Sequence, residues 1–320
     1  MELKEKDLKL LGYIYHSKRE PLTKIAKEIG MTRIQVEHSL NKFIRNKIIE
    51  KFFTMFNYSS FGYHVYVLMF FKLEKYSSFQ KFTEKLGTSK NCISWGECFG
   101  RYDIFTNLIF KDEEEMSNFL AGLIGERDNS VLDYLIIKPY LAEFHPLKMF
   151  YDKKRLILPI VAEKTKEQKF SDEDLRLLKE LEKDGRIKII DIAKRTGISA
   201  EMVLHKLKKF QRDRVYFGIR AGVKMHKLGY NYSMIFLNIR NLSQELKEKI
   251  IDFARKDKRV NALFLSLFNP NCMVQIFHKT NDELKEVVKN IKSLTMDEIV
   301  DVDIILVREE DQVHTLPFLK

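Results

Sequence analysis

The chain reads IAKEIGMTRIQVEHSLNKF over residues 25–43 and IAKRTGISAEMVLHKLKKF over residues 192–210. Sliding the sequence by 167 positions superimposes the two passages without a gap, and the match continues outside them. Asp7 falls on Asp174, Ala26 on Ala193, Gly30 on Gly197, Phe43 on Phe210, Arg45 on Arg212, and Gly62-Tyr63 on Gly229-Tyr230. A period of this kind means that one structural unit is written twice, so an element read in one copy must make sense in the other.

Within each copy the apolar spacing is helical. Leu8, Leu11 and Tyr15 share one face of a first helix, SKREP (17–21) interrupts it, and LTKIAKEIG (22–30) forms a short second helix that Gly30 stops. Thr32, and Ser199 in the second copy, stand where the N-cap of a third helix belongs, because a hydroxyl accepts from the helix's unpaired N–H groups. Val36, Leu40 and Phe43 then recur at i, i+4 and i+7, a stripe that faces a core. A short helix, a turn and a longer helix make a helix-turn-helix, in which Ala26 allows close helix approach and Gly30 supplies the turn. The β-branched and aromatic runs IIEKFFTMF (48–56) and VYFGIRAGV (215–223) are expected to fold as two-stranded wings, one per copy.

Opposite Val36 and Leu40, the third helix carries Ile34, His38, Asn41 and Arg45, with Gln35 and Lys42 on the shoulder; the second copy presents Glu201, His205, Lys208 and Arg212. Arginine and lysine neutralise phosphate or pair with guanine, asparagine and glutamine pair with adenine, and a helix of this size fits the major groove. The expected DNA-contacting set is Thr32, Arg33, Gln35, His38, Asn41, Lys42 and Arg45, with Ser199, His205, Lys208, Lys209 and Arg212 in the second copy. For the two histidines the plainer alternative is a polar, solvated face. Glu201 repels phosphate unless it reads cytosine, so the first copy is the better reader. Two readers on one scaffold favour sites separated by whole helical turns, about 10 base pairs.

After each wing the pattern changes. YHVYVLMFFKLE (63–74), SSFQKFTEKLG (77–87), NCISWGECF (91–99), IFTNLIF (104–110), EEEMSNFLAGLIG (113–125) and VLDYLIIKPY (131–140) read as β-α-β-β-α-β, a ferredoxin-like order. YNYSMIFLNI (230–239) through IVDVDIILV (299–307) repeats it. The fold class is therefore α+β, in two tandem units. The expected division is a helix-turn-helix over 1–60, a ferredoxin-like sensing or assembly domain over 61–145, a packed connector over 146–170, a second helix-turn-helix over 171–228, a second ferredoxin-like domain over 229–310, and a tail over 311–320 without a readable pattern. Each sheet has helices on one face and needs cover on the other, which a homodimer or pairing of the two copies within the chain supplies.

In this order of elements the chain resembles the Lrp/AsnC, or feast/famine, family of transcriptional regulators in a tandem, archaeal-type form. The resemblance implies double-stranded DNA as partner and an amino acid or other small metabolite as effector. It also implies an effector site at the turn in ECFGRYDIFTNLIF, at Gly100, Tyr102 and Asp103. At an offset of 167, Leu267 and Pro270 stand in place of Gly100 and Asp103, leaving one such site per chain; Asp103 is otherwise a turn residue whose carboxylate caps nearby amides.

Two other functions are weighed against this. The siroheme decarboxylases share the same build, and YNYSMIFLNI and IFHKTNDELKEVV are faintly similar to them, but the strand NALFLSLF offers no charged group to hold a propionate. The other is an assembly or sensor protein whose helix-turn-helices no longer touch DNA. No phosphate loop, metal-ligand spacing or nucleophile elbow is visible, so neither catalysis, a metal nor a cofactor is expected. Composition narrows little. A net charge of +11, from 56 Lys and Arg against 45 Asp and Glu, is compatible with polyanions without naming one. Cys92, Cys98 and Cys272 form no disulfide framework, and with no long apolar run a cytoplasmic protein without a membrane partner is expected.

Overall fold

The computed structural model describes residues 3–125, 131–153, 156–160, 165–295, 298–311 and 313–319. The first unit comprises α1 (Glu5–Tyr15), a two-residue strand β1 (His16–Ser17), α2 (Leu22–Ile29), α3 (Arg33–Arg45) and β2 (Ile49–Phe56), then β3 (Val65–Leu73), α4 (Phe79–Thr88), β4 (Cys92–Phe99), β5 (Ile104–Phe110), α5 (Glu113–Ile124) and β6 (Val131–Ile137). Strands β7 (Pro139–Phe144) and β8 (Leu158–Pro159) lead to α6 (Asp172–Lys183), α7 (Ile189–Thr196), α8 (Ala200–Arg212) and β9 (Tyr216–Val223). The second half follows as β10 (Asn231–Ile239), α9 (Gln244–Lys256), β11 (Val260–Ser266), β12 (Cys272–His278), α10 (Asn281–Thr295) and β13 (Ile299–Asp311). The fold is α+β, with two winged helix-turn-helix units each preceding a β-α-β-β-α-β half. Among the described residues no helix is long and apolar enough to cross a membrane.

The punctuation of the helix-turn-helix is local chemistry. Gly30 and Gly197 close α2 and α7 in the left-handed region, at φ of 70° and 73°, where a side chain is strained. The wings depart from expectation. Neither run forms a two-stranded wing of its own; β2 and β9 are single strands that pair antiparallel with each other, Phe53 opposite Arg220, and β1 joins β9 on its far side. Pairing across the repeat satisfies one edge of each strand without a hairpin. The two units also clasp reciprocally through equivalent arginines: Arg19 donates to the carbonyls of Gly185 and Ile187, and Arg186 donates to that of Glu20.

Each half has the ferredoxin-like strand order, β6-β3-β5-β4 and β13-β10-β12-β11. The halves join at both ends. Strand β13 pairs with β10 along Ile299–Val307 and then with β4, while the run β6–β7, broken only at Lys138, pairs first with β3 and then with β11. The alternation of β3 shows how the sheets stack. Val67, Met69 and Phe71 point outward under α4 and α5, whereas Tyr66, Leu68 and Phe70 share a core with Met234 and Phe236 of β10. Phe70 and Phe236 meet edge to face at 5.0 Å. The uncovered face of each sheet is therefore covered by the other copy, within one chain.

The tail repeats the start of the segment after β7. His145 donates its backbone N–H to the Asn261 carbonyl in β11, and His314 donates to Ile93 in β4, the matching position. Leu147 and Leu316 are both buried. Phe150 packs edge to face on Tyr230, and Phe318 stacks on Tyr63 at 4.4 Å. Each half thus ends in a peg that packs on the Gly-Tyr corner of the other unit, which explains why Gly62-Tyr63 and Gly229-Tyr230 recur.

Candidate nucleic-acid interface

Helix α3 is fixed to its unit before it presents anything outward. Val36, Leu40 and Phe43 pack inward, and so do Val203, Leu207 and Phe210 of α8. Thr32 accepts the Gln35 N–H while the Gln35 side chain accepts the Thr32 N–H, a reciprocal capping box; Ser199 accepts the Met202 N–H. A buried carboxylate then ties the third helix of each unit to the first. Asp7 accepts from Ser39 Oγ at 2.7 Å and from Lys42 Nζ at 2.9 Å, and Asp174 accepts from Lys206 Nζ at 2.9 Å. Burial pushes both carboxyls upward, but the hydrogen bonds and charge of Lys42 and Ser39, and of Lys206 and Ser171, outweigh it and hold them below the ordinary aspartate range.

This brace gives one member of the expected contact set a partner inside the protein. Lys42 sits on the helix shoulder, and its ammonium turns in to neutralise Asp7. Thr32, Gln35 and Ser199 are exposed, yet their side-chain oxygens serve the helix ends. Arg33, His38, Asn41 and Arg45 are exposed on α3, and His205, Lys208, Lys209 and Arg212 on α8. Arg212 also pairs with Asp213 at 2.9 Å while 75% of its side chain is exposed. Ile34, 79% exposed at the start of α3, is an apolar group on the same outward face, suited to a thymine methyl.

At the turn expected to hold an effector, Asp103 does what its plainer reading implies and caps a backbone amide. Asp103 accepts from the Leu73 N–H and from Lys72 Nζ, both at 2.8 Å, so its carboxylate braces β3 against β5. From β4 onward the copies are offset by 168 residues, and Asn271, not Pro270, is the structural counterpart: it accepts the Ile239 N–H at 3.0 Å. Cys98 N–H to the Asp103 carbonyl and Ser266 N–H to the Asn271 carbonyl, both 2.9 Å, confirm the register. Gly100 holds a φ of 129° that only glycine adopts readily. Tyr102 alone of the three lines a cavity, about 180 Å³, shared with Phe236, Pro270 and Asp303 across the stacked sheets. A slide of 167 hides this, because β3 and β10 are offset by 166 residues and the strands from β4 onward by 168.

Two braced helices, each with a buried apolar stripe and an exposed polar face, define a winged helix-turn-helix protein. The family model described as winged helix-turn-helix DNA-binding matches residues 172–215, the second unit. Among known proteins, an uncharacterised HTH-type transcriptional regulator of Pyrococcus abyssi is 25% identical over 123 residues, 38% of this chain and 83% of that protein. The leucine-responsive regulatory protein of Rhizobium meliloti is 40% identical over 58 residues, 18% of this chain and 37% of that protein. Over the whole chain the fold is similar to that of the siroheme decarboxylase NirDL, solved alone and with an iron-uroporphyrin III analogue: TM-score 0.61, 16% identity, 99% of this chain and 96% of the unliganded one. At that identity the likeness is one of fold.

Proposed function

We propose that the protein is a DNA-binding transcriptional regulator whose two reading helices are held by an intramolecular pair of β-α-β-β-α-β halves. One observation carries the reading: both copies keep their outward side chains exposed while a buried Asp–Lys contact fixes the helix beneath them. A surface selected only for solubility has no use for two such braces. Phosphate neutralisation by Arg33, Arg45, Lys208, Lys209 and Arg212 supplies affinity, and Asn41, His38 and Ile34 supply base contacts in the first unit. The test is selection of bound fragments from random duplex DNA, repeated with Arg45→Ala and Arg212→Ala. A recurrent site lost in both variants supports the reading; recovery of no sequence above background contradicts it.

A finer reading makes the regulator respond to an amino acid, and the relative's name makes leucine the first to try. A ligand changes DNA binding only if it favours one placement of the readers over another, so leucine has to shift the midpoint of the DNA titration. Full-length likeness to NirDL favours tetrapyrrole decarboxylation as a second reading. The cavity lined by Arg220, Lys224 and Arg308 holds about 250 Å³, under the roughly 300–1,000 Å³ of ordinary ligand pockets, and a macrocycle with several carboxylates exceeds it. A Soret shift on adding a tetrapyrrole, with no DNA binding, would reverse the order of the two.

A further inference from the structure

The outer face of β13 carries an apolar furrow that the DNA-reading proposal leaves unused. Its floor comes from Val302 and Ile304, both partly buried, and continues into Leu306, 47% exposed, which stands opposite Phe99 of β4, 52% exposed. One wall is α10: an open cavity of about 680 Å³ lies between Leu284 and Val288 of that helix and Ile304 of the strand. A second cavity, of about 440 Å³, extends it past Lys292 to Val300. We infer that this furrow docks an acidic amphipathic helix of another protein.

The layout of the helices explains why the furrow is open. Helix α10 buries Val287 and Ile291 in the core it shares with Ile235 of β10 and Val274 of β12. On the other side α4 sets Phe79 edge to face on Trp95 of β4. Each helix thus covers the strands of its own half, and β13, which passes from one half to the other, is left partly bare from Val300 to Leu306. The gap lies on an outer layer made of helices, and one more helix laid on β13 continues that layer.

Charge identifies the occupant. Lys285, Lys289 and Lys292 line the furrow, and Asp301, at its Val300 end, is the one carboxylate among the lining residues. Among the described residues only Lys285 of the three has an anionic partner, Asp282 at 3.5 Å, in a pair so exposed that it holds weakly. The repeat shows that the fold does not require these cations. At the offset of 168 that relates α5 to α10, Leu284 and Val288 match Met116 and Leu120, whereas the three lysines stand where α5 has Ser117, Ala121 and Ile124. Their spacing of i, i+4 and i+7 sets them in one row along about 10 Å of α10. A helix lying alongside, with carboxylates at the same interval, meets all three while its apolar stripe fills the floor. A fatty acid brings a single carboxylate, and the same face of a second copy sets lysines against lysines.

The site goes beyond the DNA reading, and its test needs no DNA. The probe is a fluorescein-labelled helical peptide of about 14 residues, four turns, with leucines along one stripe and glutamates beside it, titrated with the full chain by fluorescence anisotropy. It is expected to bind at least about tenfold more tightly than the same peptide with glutamine for glutamate, and than its scrambled form. Lys289→Glu together with Lys292→Glu, both at exposed positions that leave the packing intact, is expected to weaken the acidic peptide by at least about tenfold. A peptide with lysine for glutamate is expected to bind that double variant better than it binds the unaltered chain, which a merely damaged fold would not produce. Sedimentation velocity checks for a second copy in the furrow. Equal binding of the acidic, amide and scrambled peptides, binding of none, affinity unchanged by the lysine reversal, or self-association that the reversal alters would overturn the assignment.

Discussion

Truncating Phe70 tests the face-to-face pairing of the two halves. Its ring is fully buried and contacts Phe236 at 5.0 Å, Tyr102 at 5.8 Å and Phe105 at 6.3 Å. A buried Phe→Ala change costs about 3–5 kcal/mol through lost transfer energy and the cavity left behind. Phe236→Ala should fall in the same range, since that ring is 4% exposed. The informative quantity is their coupling. An edge-to-face pair contributes about 0.5–1.5 kcal/mol beyond area burial, so the double variant should cost less than the sum of the singles by about that amount. Urea denaturation followed by Trp95, the single tryptophan, gives the three values from shifts of the midpoint at constant slope. A Phe70→Ala cost under about 1 kcal/mol, or additivity within about 0.3 kcal/mol, would refute the stacking of β3 on β10 across the repeat.

Further outcomes follow from the braces and turns. Lys42→Met leaves the Asp7 carboxylate buried without its cation and should destabilise the protein by about 1.5–3 kcal/mol in the same urea assay, whereas Arg45→Ala should stay within about 0.5 kcal/mol. Because the folded-state values of Asp7 and Asp174 are depressed, their stabilisation is whole above the ordinary aspartate value of about 3.9 and is lost as pH falls through the lower folded values. Asp7→Asn should therefore flatten the acid limb of a stability–pH curve. Asp103→Ala should cost about 1–3 kcal/mol by leaving the Leu73 N–H unpaired, and Asp103→Asn clearly less, since Asn271 already accepts the equivalent bond in the second half.

What the sequence disclosed is mostly what short-range chemistry decides. Gly30, Thr32 and the Val36–Leu40–Phe43 stripe act within a few residues of themselves, and each sits as its spacing implies. The order of strands was legible because every strand of the two halves is bounded and strongly apolar. The partner of the wing was not, since β2 finds β9 through contacts between residues 160 or more positions apart. The Lys42–Asp7 contact was not read, because a shoulder position on a helical wheel does not reveal which way a long side chain turns; an aspartate at the same place in both copies, Asp7 and Asp174, was the available signal. The tail resisted reading because its likeness to the segment after β7 is reduced to a His-x-Leu and an aromatic, too short to register without the backbone bonds of His145 and His314.

The strongest single test of the two-reader account is the salt dependence of affinity for a selected duplex. Five exposed cations on α3 and α8, Arg33, Arg45, Lys208, Lys209 and Arg212, give a slope of log K against log salt of about −4 to −5 if all five meet phosphate. Removing Arg45 and Arg212 together should reduce its magnitude by about 2. A slope near zero, or one the double variant leaves unchanged, would mean that these helices do not grip DNA.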